Sequence, residues 1–185
     1  MNILRKIYYF LLDTVQTFLI AAAIFLVIYV FLFRPFEVKG ESMYPNFYNN
    51  EYVLTNLISL RFQNLKHGDV IVFKAPLDPE KDYIKRVIGT PGDTVSIKDG
   101  KVYLNDNELN ESAYLKPDVK TYPGNFLADS DTITVPEDKY FVMGDNRLNS
   151  SDSREWGFVK KDEIIGNSMF VYWPINRMRF IKNPY

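Results

Sequence analysis

The chain begins with a long apolar stretch. From Thr14 to Phe33 it carries no charge and few polar groups, roughly the twenty residues that an α-helix needs to cross a bilayer core. The run is too long for the apolar part of a typical secretory leader. Its one cluster of small residues, Ala21-Ala22-Ala23, lies in mid-run rather than after it. The pattern predicts a retained transmembrane anchor over residues 14–33, preceded by a short tail over residues 1–13. A buried helix of a soluble domain is the other reading of such a run, and the length disfavours it. Arg34-Pro35 marks the exit, because a proline disfavours helical geometry in the residue before it. Arg5 and Lys6 favour a cytoplasmic tail. Residues 34–185 are then expected on the extracytoplasmic face of a cell membrane, held by a single pass.

Past Pro35 the pattern shortens to strands. Glu51–Thr55, Asp69–Phe73, Asp82–Gly89, Thr94–Ile97, Lys101–Leu104, Lys139–Met143 and Ser168–Trp173 each read as strands, separated by Gly, Pro and Asn. Lys98-Asp99-Gly100 between two of them is a hairpin signal. Residues 105–131 break the pattern with Asn, Asp, Pro and Gly, and read as an inserted cap or loop. The expected fold is mainly β: an N-terminal transmembrane helix, then an antiparallel barrel- or sandwich-like domain with a small inserted segment.

Composition narrows the chemistry. Lys and Arg total 22 against 23 Asp and Glu, a formal charge of −1, which argues against a nucleic-acid partner. Aromatic content is 16%, with 13 Tyr and 14 Phe, which suits a pleated, half-buried surface. Cysteine is absent and histidine occurs once, at His67. Thiolate nucleophiles, disulfides and thiolate zinc sites are therefore excluded, a histidine-rich metal site is disfavoured, and no cofactor is expected.

Three segments carry reactive groups. Ser42 lies just past the apolar run, in Phe36-Glu37-Val38-Lys39-Gly40-Glu41-Ser42-Met43-Tyr44-Pro45, where a nucleophile would meet substrates at a membrane surface. Strand Asp82–Gly89 holds Lys85 and Arg86. Alternation groups Tyr83, Lys85 and Val87 on one face and Ile84, Arg86 and Ile88 on the other. Both faces are apolar, so alternation leaves open which cation is buried. Chemistry separates them: arginine stays charged, whereas lysine loses its proton readily when buried. An ordinary lysine is about 0.1% neutral at neutral pH, a handicap of roughly 4 kcal/mol, and burial can lower its pKa by about 3–5 units. A neutral Lys85 could then take the Ser42 proton and later give it to a leaving amine. The plainer alternative for Lys85 is a surface cation at a strand edge. In Gly144–Arg154 the Ser150 hydroxyl could orient a neutral lysine without restoring its charge, while Asp145, Asp152 and Arg154 brace the loop.

Together and in this order the segments resemble the type I signal peptidase family, membrane-bound Ser-Lys proteases that remove leader sequences from exported proteins. Gly40-x-Ser42-Met43-x-Pro45, Gly68–Phe73, Tyr83-Ile84-Lys85-Arg86-Val87-x-Gly89-x-Pro91-Gly92-Asp93 and Gly144-Asp145-Asn146-Arg147-x-x-Ser150-x-Asp152-Ser153-Arg154 carry the resemblance. It implies Ser42 as nucleophile, Lys85 as general base and Ser150 as the hydroxyl that orients the lysine. It implies substrate pockets lined by Phe36, Val38, Met43 and Ile84, small enough to require Ala-x-Ala-like residues before the cut in a preprotein. It also implies a bilayer setting and the export machinery as a candidate partner. The single span resembles the compact form typical of Gram-positive bacteria. Relatives of the two-span kind often carry a serine two residues before the nucleophile, whose hydroxyl helps to bind the oxyanion. Gly40 stands there in this chain, so the oxyanion falls to backbone N–H groups around Gly40, chiefly that of Ser42.

Two other functions compete. A self-cleaving Ser-Lys regulator would carry a DNA-binding module where this chain has its apolar run. An anchored, non-catalytic β domain that binds or scaffolds export partners would leave Ser42, Lys85 and Ser150 incidental. A Ser42-His67-Asp69 triad is disfavoured, because His67 precedes Gly68 in a predicted turn.

Overall fold

In the computed structural model the described residues are 3–58, 64–129 and 131–185. Met1 and Asn2 of the expected tail, and Ser130 of the expected insertion, lie outside them. Helix α1 spans Ile3–Leu32 and so begins well before Thr14. The tail before Thr14 is itself rich in Leu, Ile and aromatic residues, and a single Asp13 does not interrupt helical backbone bonding. The hydroxyls of Thr14 and Thr17 donate back to the carbonyls of Phe10 and Asp13, 2.7 Å each, so neither polar group is stranded on the apolar surface. Residues Ile3–Val27 are long and apolar enough to cross a membrane.

The helix passes directly into strand β1, Phe33–Glu37. The sequence pattern does not display this strand, since Arg34-Pro35 reads only as the exit of the helix. Pro35 lies opposite Leu54, and β1 is an edge strand, where a missing N–H is tolerated. From β1 the main sheet runs through β2 (Tyr52–Asn56), β11 (Ile164–Trp173), β3 (Val70–Ala75), β4 (Asp78–Gly89), β9 (Lys139–Met143) and β10 (Val159–Lys160), with β12 (Arg179–Phe180) alongside β11. A second sheet holds β7 (Asn107–Glu108), β6 (Lys101–Leu104), β5 (Thr94–Lys98) and β8 (Thr132–Thr134), in that order. The recorded pairings are antiparallel in both sheets. Neither sheet closes into a barrel.

The hairpin at Asp99-Gly100 forms as predicted, with φ of 53° and 81° and Lys98 opposite Lys101. Its strands belong to the second sheet, however, together with β7 and β8. The second sheet therefore extends beyond residues 105–131 on both sides, from β5 to β8, and includes β7 within them. A two-residue period records which faces of a strand are buried, not which sheet buries them.

Strand β4 joins three cores. Val87 and Tyr83 pack with Ile71, Phe73, Tyr140 and Val142. Ile88 joins Val95, Ile97, Val102 and Phe141 under the second sheet. Ile84 and Phe36 border a third cluster of Val38, Met43, Phe47, Val53, Val70 and Val171. Each fully buried side chain of this size contributes about 1.5–3 kcal/mol of transfer free energy. Lys85 and Arg86 are thus held on a strand anchored on both faces.

Candidate active site

Lys85 and Arg86 of β4 are both buried, each only 4% exposed, and the fold accommodates them differently. Arg86 donates from Nε and Nη2 to the Asp145 carboxylate at 2.8 and 2.6 Å, and from Nη1 to the Gly68 carbonyl at 2.8 Å. Burial opposes its charge, but the bonds to Asp145 outweigh that and raise its pKa. Lys85 has no carboxylate within salt-bridge distance among the described residues. Its Nζ lies 2.8 Å from Ser42 Oγ and 3.1 Å from the Ile84 carbonyl, and 5.2 Å from the Tyr83 ring centre. Burial lowers its pKa to about 8, against an opposing pull from the charges of Asp152 and Asp145.

Ser42 sits on the loop between β1 and β2. The loop is closed at its base, where Val38 N–H donates to the Glu51 carbonyl at 2.7 Å and Asn50 N–H to the Val38 carbonyl at 2.8 Å. Met43 and Phe47 are buried and anchor it from within. The buried Glu51 carboxylate receives Arg179 at 2.9 and 2.7 Å, which ties β12 to the same loop. Gly40 adopts φ +88°, a conformation that favours glycine. Its N–H is occupied by Asn49 Oδ1 at 2.8 Å. The Ser42 N–H takes no partner among the described residues.

The segment after β9 closes the site from the other side. At Gly144 any Cβ would collide with Ser150 Oγ and with the Ser42 carbonyl, so only glycine lets the two loops meet. Ser150 Oγ is buried and makes no hydrogen bond among the described residues. Asp152 caps the short helix α2, Ser153–Trp156. Its carboxylate also receives Arg154 Nε and Nη2, 2.8 Å each, and the Gly144 N–H at 3.0 Å. Arg154 Nη1 donates to the Tyr122 carbonyl at 3.0 Å. Asp145 accepts from Asn46 Nδ2 at 2.8 Å as well as from Arg86. Each carboxylate that faces Lys85 is therefore held by an arginine.

A cleft of about 250 Å³ opens beside the pair, lined by Phe36, Val38, Ser42, Tyr83, Ile84 and Lys85 among others. Of the four residues expected to line pockets, Phe36, Val38 and Ile84 do so. Met43 is 1% exposed and lies in the core cluster beneath. Val53, Val72, Tyr83 and Ser151 also line the cleft and were not foreseen. Val72 is opposite Ile84 in the antiparallel register, so pairing the two strands would have found it. His67 stands elsewhere: its Nε2 is 2.7 Å from Asp93 Oδ2, while the Asp69 carboxylate accepts from Asn183 Nδ2 at 2.7 Å and the Lys66 N–H at 2.9 Å. The three residues of the triad alternative are not assembled. No group of three or more His, Asp or Glu among the described residues is placed to hold a metal ion.

A serine hydroxyl against a buried lysine of lowered pKa, beside a partly apolar cleft, is an arrangement of the serine hydrolase kind. The family described as signal peptidase, peptidase S26, matches residues 11–173. Signal peptidase I P of Bacillus subtilis subsp. natto is 38% identical over 176 residues, 93% of this chain and 94% of that protein. Signal peptidase IB of Staphylococcus aureus strain MRSA252 is 34% identical over 185 residues, 94% of this chain and 95% of that protein. A crystal structure of a signal peptidase I from Enterococcus faecalis V583 matches with TM-score 0.48 and 32% identity, over 57% of this chain and 97% of that one. This chain belongs to the signal peptidase family, peptidase S26, and is a serine peptidase of that family.

Proposed function

We propose that the protein is a membrane-bound endopeptidase that cleaves N-terminal signal peptides from exported preproteins with a Ser42–Lys85 dyad. The observation that carries this reading is the 2.8 Å contact between Lys85 Nζ and Ser42 Oγ, with no carboxylate bridging the amine. A neutral amine donates one N–H to the Ile84 carbonyl and turns its lone pair to the Ser42 hydroxyl. As Oγ attacks the scissile carbonyl its proton passes to Nζ, and the oxyanion is held by the Ser42 N–H. The ammonium then protonates the departing amine, which is the new N-terminus of the mature protein. Water attacks the acyl-enzyme with Lys85 again accepting the proton, and the signal peptide leaves as a carboxylate. Ser150 Oγ is buried and has no hydrogen-bond partner among the described residues, Lys85 Nζ included, so in this reading it orients the remaining N–H of Lys85 only once the hydroxyl or the amine turns toward the other. Asp145, Asp152 and Arg154 hold that loop in place.

The small cleft bounded by Phe36, Val38 and Ile84 favours small residues at the first and third positions before the cut. Helix α1 is the anchor, with the N-terminus cytoplasmic and the catalytic domain, including the inserted second sheet, on the extracytoplasmic face. Anchoring raises the effective concentration of leaders that already cross the same bilayer. The test is cleavage of a preprotein by protein reconstituted in lipid. Ser42→Ala and Lys85→Arg should both fold, and each should lose at least about a thousandfold in kcat, because a guanidinium cannot accept the proton. Cleavage by Lys85→Arg at the wild-type rate refutes the lysine base.

A further inference from the structure

Backbone geometry at the nucleophile singles out one more residue. Asn146 reaches the Ser42 loop twice. Its backbone N–H donates to the Ser42 carbonyl at 2.9 Å, and its side-chain Nδ2 donates to the Glu41 carbonyl at 3.1 Å. The Glu41 carbonyl and the Ser42 N–H are two ends of one planar trans peptide and point in opposite directions. Fixing the carbonyl therefore fixes the N–H. That N–H takes no partner among the described residues. It is also the donor left for an oxyanion at this position, because Gly40 has no side chain and its own N–H is engaged by Asn49. A peptide plane on an exposed loop can otherwise rock, and a donor aimed a few tenths of an ångström away loses much of its value to a developing negative charge.

We propose that Asn146 is a positioning residue for the oxyanion: its carboxamide pins the Glu41–Ser42 peptide so that the Ser42 N–H is aimed at the reacting carbonyl before substrate arrives. The same residue sits on the loop that carries Ser150, so it couples the orientation of the oxyanion donor to that of the lysine's partner loop. This inference rests on Ser42 being the nucleophile.

The experiment uses the full chain in lipid, with Asn146→Ala, Asn146→Asp and Ser42→Ala in parallel. Asn146→Ala keeps the backbone bond to Ser42 and loses only the carboxamide. Its kcat should fall about 10- to 100-fold with KM within about twofold of wild type. The midpoint of its kcat/KM–pH profile should stay where wild type has it, because the base is untouched. A peptide boronic acid, which forms a tetrahedral adduct on serine, should lose affinity by the same factor, while the cleaved signal-peptide product binds as before. Asn146→Asp has the same shape but, as a carboxylate, donates nothing to the Glu41 carbonyl. Compared on the alkaline plateau, its kcat should fall at least as far, and this variant serves if the alanine variant does not fold. Wild-type kcat in either variant overturns the proposal. So does a loss of product binding in step with the loss of kcat, which would mark a merely structural role. Activity retained by Ser42→Ala would instead overturn the dyad itself.

Discussion

Lys85 and Arg86 are consecutive on β4, equally buried and alike in formal charge, yet the fold treats them in opposite ways. Around Arg86 it supplies a carboxylate and a carbonyl, so the charge is retained and serves as a structural tie between β4, the turn before β3 and the loop after β9. Around Lys85 it supplies a hydroxyl, one carbonyl and apolar surface. The two carboxylates within electrostatic range are committed to arginines: Asp145 to Arg86 and Asp152 to Arg154. Burial alone would not produce a base. On the proposed mechanism, burial lowers the pKa of Lys85 and the pairing of the nearby acids with arginines limits the pull that would raise it again.

The comparison can be broken most severely on the arginine side. Arg86→Met leaves Asp145 buried without its cation and should destabilise the protein by about 3–5 kcal/mol, read from urea unfolding of the solubilised chain. The same replacement one residue earlier should act in the opposite direction. Lys85 titrates near 8 in the fold against an ordinary value of 10.5. Between those values the unfolded chain binds the extra proton, so stability rises with pH across that window and the full penalty is present below it. Lys85→Met should therefore abolish cleavage while raising stability by up to about 3 kcal/mol at pH 7, and this gain should vanish above pH 10.5. A finer test works through the shared acid. Wild-type kcat/KM should rise with pH around a midpoint near 8. Arg154→Met frees the Asp152 charge, which already pulls the lysine upward, and should move that midpoint to higher pH by about one unit or less. An unmoved midpoint in a folded Arg154→Met variant would show that the arginines do not shield the lysine.

Much of this architecture is written locally. The apolar run, the strand-length apolar segments and the Asp-Gly turn each specify their own conformation, so α1 and the long strands are legible residue by residue. The Ser42 and Lys85 segments are legible for a similar reason, since a lone lysine in an apolar strand and a serine just past a span carry unusual chemistry for their settings. What the sequence does not display is pairing. Strand β1 hides behind a proline that only its edge position excuses. The Thr94–Leu104 hairpin reads like any other hairpin, and only its partners place it in the second sheet. Glu51 looks like a surface acid until Arg179, 128 residues away, is found against it. Arg86 looks like the competitor of Lys85 until Asp145 accounts for it. Asn146 is one polar residue among many in its loop, and its two contacts with residues 41 and 42 depend on a close approach that Gly144 permits.

The buried amine also sets a duty cycle. With a pKa of about 8, about one molecule in ten holds a neutral Lys85 at pH 7 at any instant. The others are intact but idle, one proton away from readiness. On the proposed dyad mechanism, throughput at neutral pH follows how often this single nitrogen is bare. On the same mechanism a negative surface potential beside the site would favour the ammonium form and lengthen the idle fraction, with no change in the fold.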